Sequence, residues 1–559
     1  MKGARTSRRL LDRIRDRYLP RTDPDDDFAG PKPLSYAGDG VTRRVWKSTL
    51  REMAARGERR LLIYGCGGQA RKLLSWMDPA SQGIELVAFI DSRPRQESFL
   101  GYPVFSPARV GREARSGTVL FSSFPFEEEM VRLLGACLRK SPRFRRRSLY
   151  RGALFHRTVA GLSPAGDAPW VEEFSGPRTI VYVTLEPFFN LLRQSLALRR
   201  LGWKTLLIGV RQENLALQRG YFDRVVQCGD LPGMRRLCGA LSPQVFHLQG
   251  WLLSYAKMVL IRSWCRQGTV ICETMDHSRL LLSQQRHYVR YLSRPAEEIE
   301  LDWAGMREIW DHFPGVLHPY REEVRKLYRG WGYGDRGSRQ FSFPSYPCAE
   351  LFAPARRVLL EDPVRFVFIG GIPTDHWPDR VFGDAKLNQI LPLLLKQGLK
   401  ISIYNNPLLA RNREQLERLY PRMTEMTRAY PNLKFRCGYP PERLRNIIPS
   451  HHFGLMLYDF SHLLVRPYHY AYILPSKFFH YLELGLPVLV SEEMTAVADL
   501  VRRHGLGMVV PFSRMKELRG MIQEQARHYP AWRKNVLKYR ASISMDKQAR
   551  RLARWYASL

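Results

Sequence analysis

The 559-residue sequence predicts an α/β protein of three doubly wound parallel-sheet units, the last two facing each other as twin lobes. Three observations predict it. Short apolar runs of strand length recur in three series, each followed by a stretch of helical spacing. Such alternation demands parallel sheets covered by helices on both faces. Glycines follow the opening strand of the first and third series, at Gly65 and Gly370. Finally, a breaker-rich connector, Phe341-Ser342-Phe343-Pro344-Ser345-Tyr346-Pro347, separates a second and a third series of similar size.

Residues 1–45 read as a tail that is basic, then acidic, then rich in Pro and Gly, with one short amphipathic helix near Arg8–Tyr18. The first unit, 46–150, opens with a strand at Arg60–Tyr64. It turns through Gly65-Cys66-Gly67-Gly68-Gln69-Ala70 into a helix ending near Met77, and adds strands at Ile84–Ile90 and Thr118–Phe121. An arginine-rich stretch and a linker follow. The second unit, 175–350, has strands at Thr179–Val183, Lys204–Ile208, Arg224–Gln227, Gln244–Leu248 and Thr269–Glu273, with helices at Leu191–Leu201 and Met234–Leu241. Residues 280–335 read as helical. The third unit, 351–525, has strands at Arg365–Ile369, Lys400–Tyr404, Leu433–Cys437, Phe453–Leu457, Pro487–Val490 and Gly507–Val510. Its helices fall at Leu387–Gln397, Asn412–Tyr430, Pro441–Ile448 and Lys477–Leu484, and residues 526–559 form a C-terminal helical segment. A ligand in such folds sits at the carboxyl ends of the strands, here between the lobes.

Composition narrows the function classes. There are 88 Lys and Arg against 53 Asp and Glu, a formal charge of +35. A field of that sign attracts anions. Nucleic acid is disfavoured, because no reader motif with base-stacking aromatics stands out. A solvated basic face, an anionic membrane surface or a lipid-phosphate acceptor accounts for the excess. Eight cysteines occur without a C-x-x-C pair, so neither a zinc site nor a disulfide framework is indicated. No run of 18 apolar residues predicts a spanning helix, and the Arg-rich N-terminus lacks the apolar core of a secretory signal. The expectation is a cytoplasmic protein, peripheral at the inner face of a membrane if anchored at all. No carboxylate cluster suggests a metal, and no obligatory cofactor is expected.

The most informative stretch is Leu474-Pro475-Ser476-Lys477-Phe478-Phe479-His480-Tyr481-Leu482-Glu483-Leu484-Gly485-Leu486-Pro487. Pro475 and Ser476 signal a helix start, Gly485 and Pro487 its stop. The amides and positive dipole end of such a helix attract anions. Lys477 adds a full charge in the first turn, where the dipole alone disfavours a cation. That conflict points to a bound diphosphate. Ser476 and Glu483 lie seven residues apart on one face, so a nucleotide along that face would place a ribose at Glu483, a natural acceptor for vicinal hydroxyls. The competing reading is a capped amphipathic helix with an ordinary surface Lys and Glu.

Pro475-Ser476-Lys477, then Glu483-x-Gly485-x-Pro487-Val488 and Val490-Ser491, resembles the donor-binding segment of GT-B glycosyltransferases of the glycogen-synthase-like group. Asp499-Leu500-Val501 and His504-Gly505-Leu506-Gly507 resemble the segment that follows it, and Gly370-Gly371 the phosphate-facing loop. His247-Leu248-Gln249-Gly250 and Glu273-Thr274-Met275-Asp276-His277 resemble two strand ends of the N-lobe. The resemblance spans residues 178 to about 525. It implies twin Rossmann-like lobes and transfer of a sugar from a nucleotide-sugar donor to a polysaccharide, lipid-linked or protein acceptor. Lys477 would contact phosphate, with Ser476, Gly370, Gly371 and Arg466 near it, and Glu483 the ribose. Asp276, His277 or Glu273 would orient or deprotonate the acceptor. Two positions depart from the family pattern. Pro475 replaces the first of two spaced glutamates, and Leu185-Glu186-Pro187-Phe188-Phe189-Asn190 stands where a glycine-rich loop is usual.

In the first unit the G-x-G-x-x-A turn would let a phosphate approach: Gly65 permits the tight turn, Gly67 and Gly68 leave room, and Ala70 lets the helix pack. Asp91 ends the next strand, 26 residues after Gly65, a little beyond the usual spacing of about 20 for a ribose-binding acid. Together with Phe89-Ile90-Asp91 and Leu100-Gly101-Tyr102-Pro103-Val104, this resembles the Rossmann-like module preceding sugar acyltransferases of the sialic-acid and bacillosamine type. Two other readings remain: a non-catalytic nucleotide-sugar-binding scaffold, and a nicotinamide-dependent oxidoreductase led by this first unit.

Overall fold

The structure is a computed structural model that describes residues 2–19, 28, 39–94, 96–124, 127–138, 143–160, 168–185, 190–210, 215–228, 230–282, 284–292, 294–334, 338–356, 358–375, 377–410, 412–458, 460 and 467–559. Three parallel-dominated sheets of six, seven and six strands form the chain.

In the first sheet, Arg60–Tyr64 pairs in parallel with Glu85–Ile90 on one side and Gly117–Phe121 on the other. These are apolar runs buried from both faces, as parallel strands require. The outer strand Phe144–Ser148 is the arginine-rich stretch itself. Its polarity hid it from a reading based on apolar runs. The helix Asp39–Ala55 covers this sheet with Val45, Trp46, Leu50 and Met53 buried. It therefore runs through the boundary expected between residues 45 and 46.

The second sheet orders its strands Arg339–Ser342, Gly315–His318, Thr269–Thr274, Pro243–Gly250, Gly176–Thr184, Lys204–Gly209 and Arg224–Gln227. Gly315–His318 falls in the stretch expected to be helical. The N-terminal helix, Lys2–Tyr18, is longer than the predicted Arg8–Tyr18 and is no free tail. Ile14 is fully buried in the second unit's core, and Tyr18 lies against Lys257.

The third sheet has the order Leu433–Cys437, Lys400–Asn405, Arg365–Ile369, Phe453–Met456, Val488–Ser491 and Gly507–Val510, all parallel. Counted along the chain this is 3-2-1-4-5-6, so the order reverses between Arg365–Ile369 and Phe453–Met456. A crevice opens at the carboxyl ends of two such strands. Two expected helices are broken here. Asn412–Tyr430 divides into Arg413–Leu419 and Pro421–Ala429, because Pro421 interrupts the helical bonding. The span read as Leu387–Gln397 contains only Ile390–Leu395, preceded by Asp379–Lys386 and a left-handed Leu387.

The two lobes are joined in several places. An antiparallel bridge links Tyr320 to Ile473, flanked by Leu474 N–H donating to the Pro319 carbonyl at 2.8 Å. Val381 packs with Leu253, Leu282 and Tyr288 of the second unit. The helix Tyr529–Ser542 lies on the third unit, whereas Met545–Ala557 returns to the second, burying Met545, Ala549, Leu552 and Tyr556 there. Among the described residues, no helix is long and apolar enough to cross a membrane.

Candidate functional site

A cavity of about 310 Å³ lies between the lobes, at the carboxyl ends of both sheets. Its size suits a small ligand. The third unit contributes Gly370, Gly371, Ser476, Lys477 and His480; the second contributes Trp251, Glu273 and Asp276.

The helix Ser476–Glu483 starts after Pro475, whose extended backbone ends the preceding turn; Phe478, Phe479, Tyr481 and Leu482 bury one side of it. Lys477 turns the other way, into the cavity. Its ammonium sits 3.4 Å from the centroid of the Phe368 ring and donates to the Tyr458 hydroxyl at 2.9 Å. Among the described residues no carboxylate pairs with it. Burial holds this ammonium well below the usual lysine range. Gly370 lies against it with φ of +124°, and a Cβ there would stand 3.2 Å from Lys477 Cε. The positive φ favours glycine, and a Cβ there would make Lys477 give way by a few tenths of an ångström. His480, one turn further on, also lines the cavity; burial first, then Arg193 and Lys477, keep its imidazole neutral.

On the opposite wall two carboxylates reach the cavity. Glu273, at the end of Thr269–Thr274, accepts at Oε2 from Gln194 Nε2 at 3.2 Å and pairs there with His247 Nε2 at 3.0 Å. Asp276, two residues past that strand, accepts from Trp251 Nε1 at 2.8 Å, with His469 Nε2 3.9 Å away. The site thus sets basic side chains, Lys477 and His480, against two carboxylates. Among the described residues, no group of three His, Cys, Asp or Glu stands placed to hold a metal ion.

Two expectations are corrected. His277 is fully buried outside the cavity, with Nε2 against Thr274 Oγ1 at 2.7 Å and its backbone N–H on the Tyr320 hydroxyl. Burial, then His318 and His469, push its pKa well below the ordinary range. It belongs to an aromatic core with Trp310, Tyr320 and Tyr328, so it cannot touch an acceptor. Glu483 is 2 % exposed and faces protein in place of a ribose. Arg193 grips both its oxygens at 2.7 and 2.6 Å, and the Cys348 N–H donates to Oε1 at 2.8 Å. Helical spacing placed Glu483 on the face of Ser476, but it cannot reveal a partner from the other lobe. The same spacing would have found His480, three residues after Lys477. Arg466 lies outside the described residues, as do 186–189 of the loop that departs from the family pattern.

In the first unit Gly65 adopts φ of +117°, and a Cβ would meet Ser122 Oγ at 2.5 Å. Gly67 precedes the helix Gly68–Trp76 and, like Gly68, has open space where a Cβ would stand. Asp91 Oδ1 accepts from the Arg93 N–H at 2.8 Å, closing its own turn.

Residues 405–553 match the family model described as Glucosyltransferase 3-like, C-terminal domain. No curated protein sequence matches the chain significantly. Similar solved structures include a sucrose-phosphate synthase from Thermosynechococcus elongatus, with 12 % identity and a TM-score of 0.47, covering 68 % of this chain and 98 % of that one. A glycosyltransferase from Rickettsia africae has 9 % identity and a TM-score of 0.43, with coverage of 68 % and 98 %. A UDP-GlcNAc 2-epimerase from Neisseria meningitidis, bound to UDP-GlcNAc, has 10 % identity and a TM-score of 0.39, with coverage of 68 % and 100 %. The twin-lobed architecture is carried by the strand orders and the shared cavity, not by these distant likenesses.

Proposed function

We propose that this chain is a nucleotide-sugar-dependent glycosyltransferase. Its donor would lie in the cavity with the diphosphate against Lys477, the amides at Ser476 and the Gly370-Gly371 turn. The sugar would then face Glu273 and Asp276. The observation that carries the reading is Lys477, a half-buried lysine lining the cavity with no carboxylate among the described residues to neutralise it. Burying an unpaired ammonium is costly, and an entering diphosphate supplies the missing charge. The glucosyltransferase-like match over 405–553 contains this helix and supports the same class.

Transfer requires that the charge developing on the leaving diphosphate be stabilised, a task suited to fixed donors in a site shielded from water. Lys477 and the helix amides would do this, so an obligatory metal or cofactor is not part of the proposal. Glu273 or Asp276 would orient or deprotonate an acceptor hydroxyl. The acceptor class is a glycan, whether polysaccharide, lipid-linked or protein-borne. Attraction to an anionic membrane from the cytoplasmic side is consistent with the +35 charge. The first unit is read as a nucleotide-sugar-binding module of the acyltransferase-associated type, on the Gly65-Cys66-Gly67-Gly68 turn and Asp91.

The test is turnover of uridine-, guanosine-, adenosine- and cytidine-linked sugars, followed as release of nucleoside diphosphate. One donor class should be consumed. Lys477→Ala should lower kcat/KM roughly 10- to 100-fold, the scale of a lost charged hydrogen bond. A folded protein that turns over none of the four classes refutes the proposal.

A further inference from the structure

Glu273 reaches the cavity from a chain of buried groups that begins in the last helix of the protein. The Tyr556 hydroxyl and His247 Nδ1 are 2.9 Å apart, and His247 Nε2 stands 3.0 Å from Glu273 Oε2. Tyr556, His247 and Glu273 are 2 %, 0 % and 2 % exposed. They come from three elements: Met545–Ala557, Pro243–Gly250 and Thr269–Thr274. Gln194 adds a second donor to Oε2 from the helix Asn190–Arg200, on which Met545–Ala557 packs.

We propose that Tyr556 and His247 are positioning residues of the active site: the C-terminal helix fixes the imidazole, and the imidazole fixes the carboxylate that faces the acceptor. This rests on the glycosyltransferase reading, since Glu273 acts only if the cavity is the transfer site. For a neutral imidazole beside an ionised carboxylate, one arrangement of protons satisfies both contacts. An ionised carboxylate is acceptor-only, so His247 must present Nε2–H to it. In the neutral ring Nδ1 is then the acceptor, and it receives the Tyr556 O–H. A phenol is a donor at neutral pH, so the arrangement persists there. Each link selects the next, as a carboxylate selects the tautomer of a histidine beside it. Glu273 Oε2 is consumed by two N–H donors. Its Oε1 has no protein partner among the described residues and is not sealed in the interior, which leaves it for an acceptor hydroxyl. Buried polar groups are costly unless partnered. Removing the Tyr556 hydroxyl therefore orphans Nδ1 and frees the ring to take the other tautomer, which would turn a lone pair toward the carboxylate.

The experiment compares Tyr556→Phe, His247→Gln, His247→Leu and Glu273→Gln in the full chain, each with its melting temperature. Turnover of the best donor with its acceptor is followed from pH 5 to 9. Loss of donors to a carboxylate raises its pKa. Tyr556→Phe and His247→Leu should therefore move the acid limb of kcat/KM upward by roughly half a unit or more and lower kcat several-fold. The donor KM should stay unchanged. His247→Gln keeps an amide donor and should recover most of the activity that His247→Leu loses. Histidine-selective 15N NMR, with His247 assigned by its loss in His247→Gln, supplies a readout without turnover. Wild type should hold the Nε2–H tautomer and Tyr556→Phe should lose it.

If wild type is active and Glu273→Gln is not, but Tyr556→Phe keeps the wild-type pH profile and tautomer, the positioning role is refuted and the glycosyltransferase reading stands. If wild type turns over no donor, the enzyme reading fails. The proposed role in the reaction then fails with it, whichever tautomer the spectrum records. A wild-type His247 found as Nδ1–H overturns the relay outright.

Discussion

Arg193 and Glu483, 290 residues apart, meet in a buried bidentate pair that ties the second unit to the end of the Lys477 helix. Arg540 donates to the Glu483 carbonyl at 2.7 Å and closes the same helix end. Burial, the largest influence on the Arg193 pKa, would lower it, but the charge and hydrogen bonds of Glu483, with Cys348 and Tyr221, together turn the net shift upward. The neighbouring Gln194 reaches Glu273, so two consecutive residues of one helix serve both walls of the cavity.

Removing one partner of a buried ion pair typically costs about 3–5 kcal/mol, because a charge is left without compensation. Glu483→Gln and Arg193→Met should each lower the melting temperature markedly. The double variant Arg193→Met/Glu483→Leu should recover much of the loss, since an apolar pair strands no charge. Thermal melts check this. A Glu483→Gln protein of normal stability but weakened nucleotide binding would instead restore Glu483 to the ribose.

Lys477 predicts proton uptake on donor binding. Its pKa is lowered by burial. A bound diphosphate favours the charged form and raises it again. Binding should therefore take up a proton and weaken as pH rises through the pKa of the bound state. Calorimetry in two buffers of different ionisation enthalpy reads this directly, as a difference in apparent binding heat.

Gly370→Ala should abolish nucleotide binding while leaving the fold intact. The added methyl meets Lys477 Cε at 3.2 Å, on a backbone with φ of +124° that L-residues rarely adopt. Circular dichroism and nucleotide titration together check the two halves of the statement.

Asp302 predicts a stability change with pH. It is fully buried, accepts from the Tyr255 N–H at 2.8 Å and from Ser278 Oγ at 2.6 Å, and desolvation pushes its pKa up to about 7 from 3.8. The folded state thus holds a proton that the unfolded state releases. Asp302 favours folding most below the unfolded pKa near 4, and that contribution is lost as pH rises through about 7. Asp302→Asn removes the charge and keeps an acceptor. Between pH 5 and 8 the melting temperature of wild type should fall relative to that of Asp302→Asn.

The third unit was the most legible part of the sequence. Most of its strands are apolar runs, Leu433–Cys437 alternates apolar and polar, and Arg365–Ile369, Leu433–Cys437 and Gly507–Val510 match their expected bounds. Two edge strands were not legible, because their polarity hid them from a reading based on apolar runs: Phe144–Ser148 carries three arginines and Arg339–Ser342 is largely polar. At the site, helix signals at Pro475 and Gly485 placed Lys477 at the first turn, where it lines the cavity. The same local reasoning put Glu483 and His277 on a ligand. Their real partners, Arg193 and the aromatic core around Trp310, come from distant elements that only the folded chain brings near.

The most direct measurement is isothermal titration of uridine, guanosine, adenosine and cytidine diphosphates into wild type and Lys477→Ala. The account predicts that at least one binds wild type, and that Lys477→Ala weakens it by roughly tenfold or more. Binding of none of the four, or equal affinity in the two proteins, would contradict it.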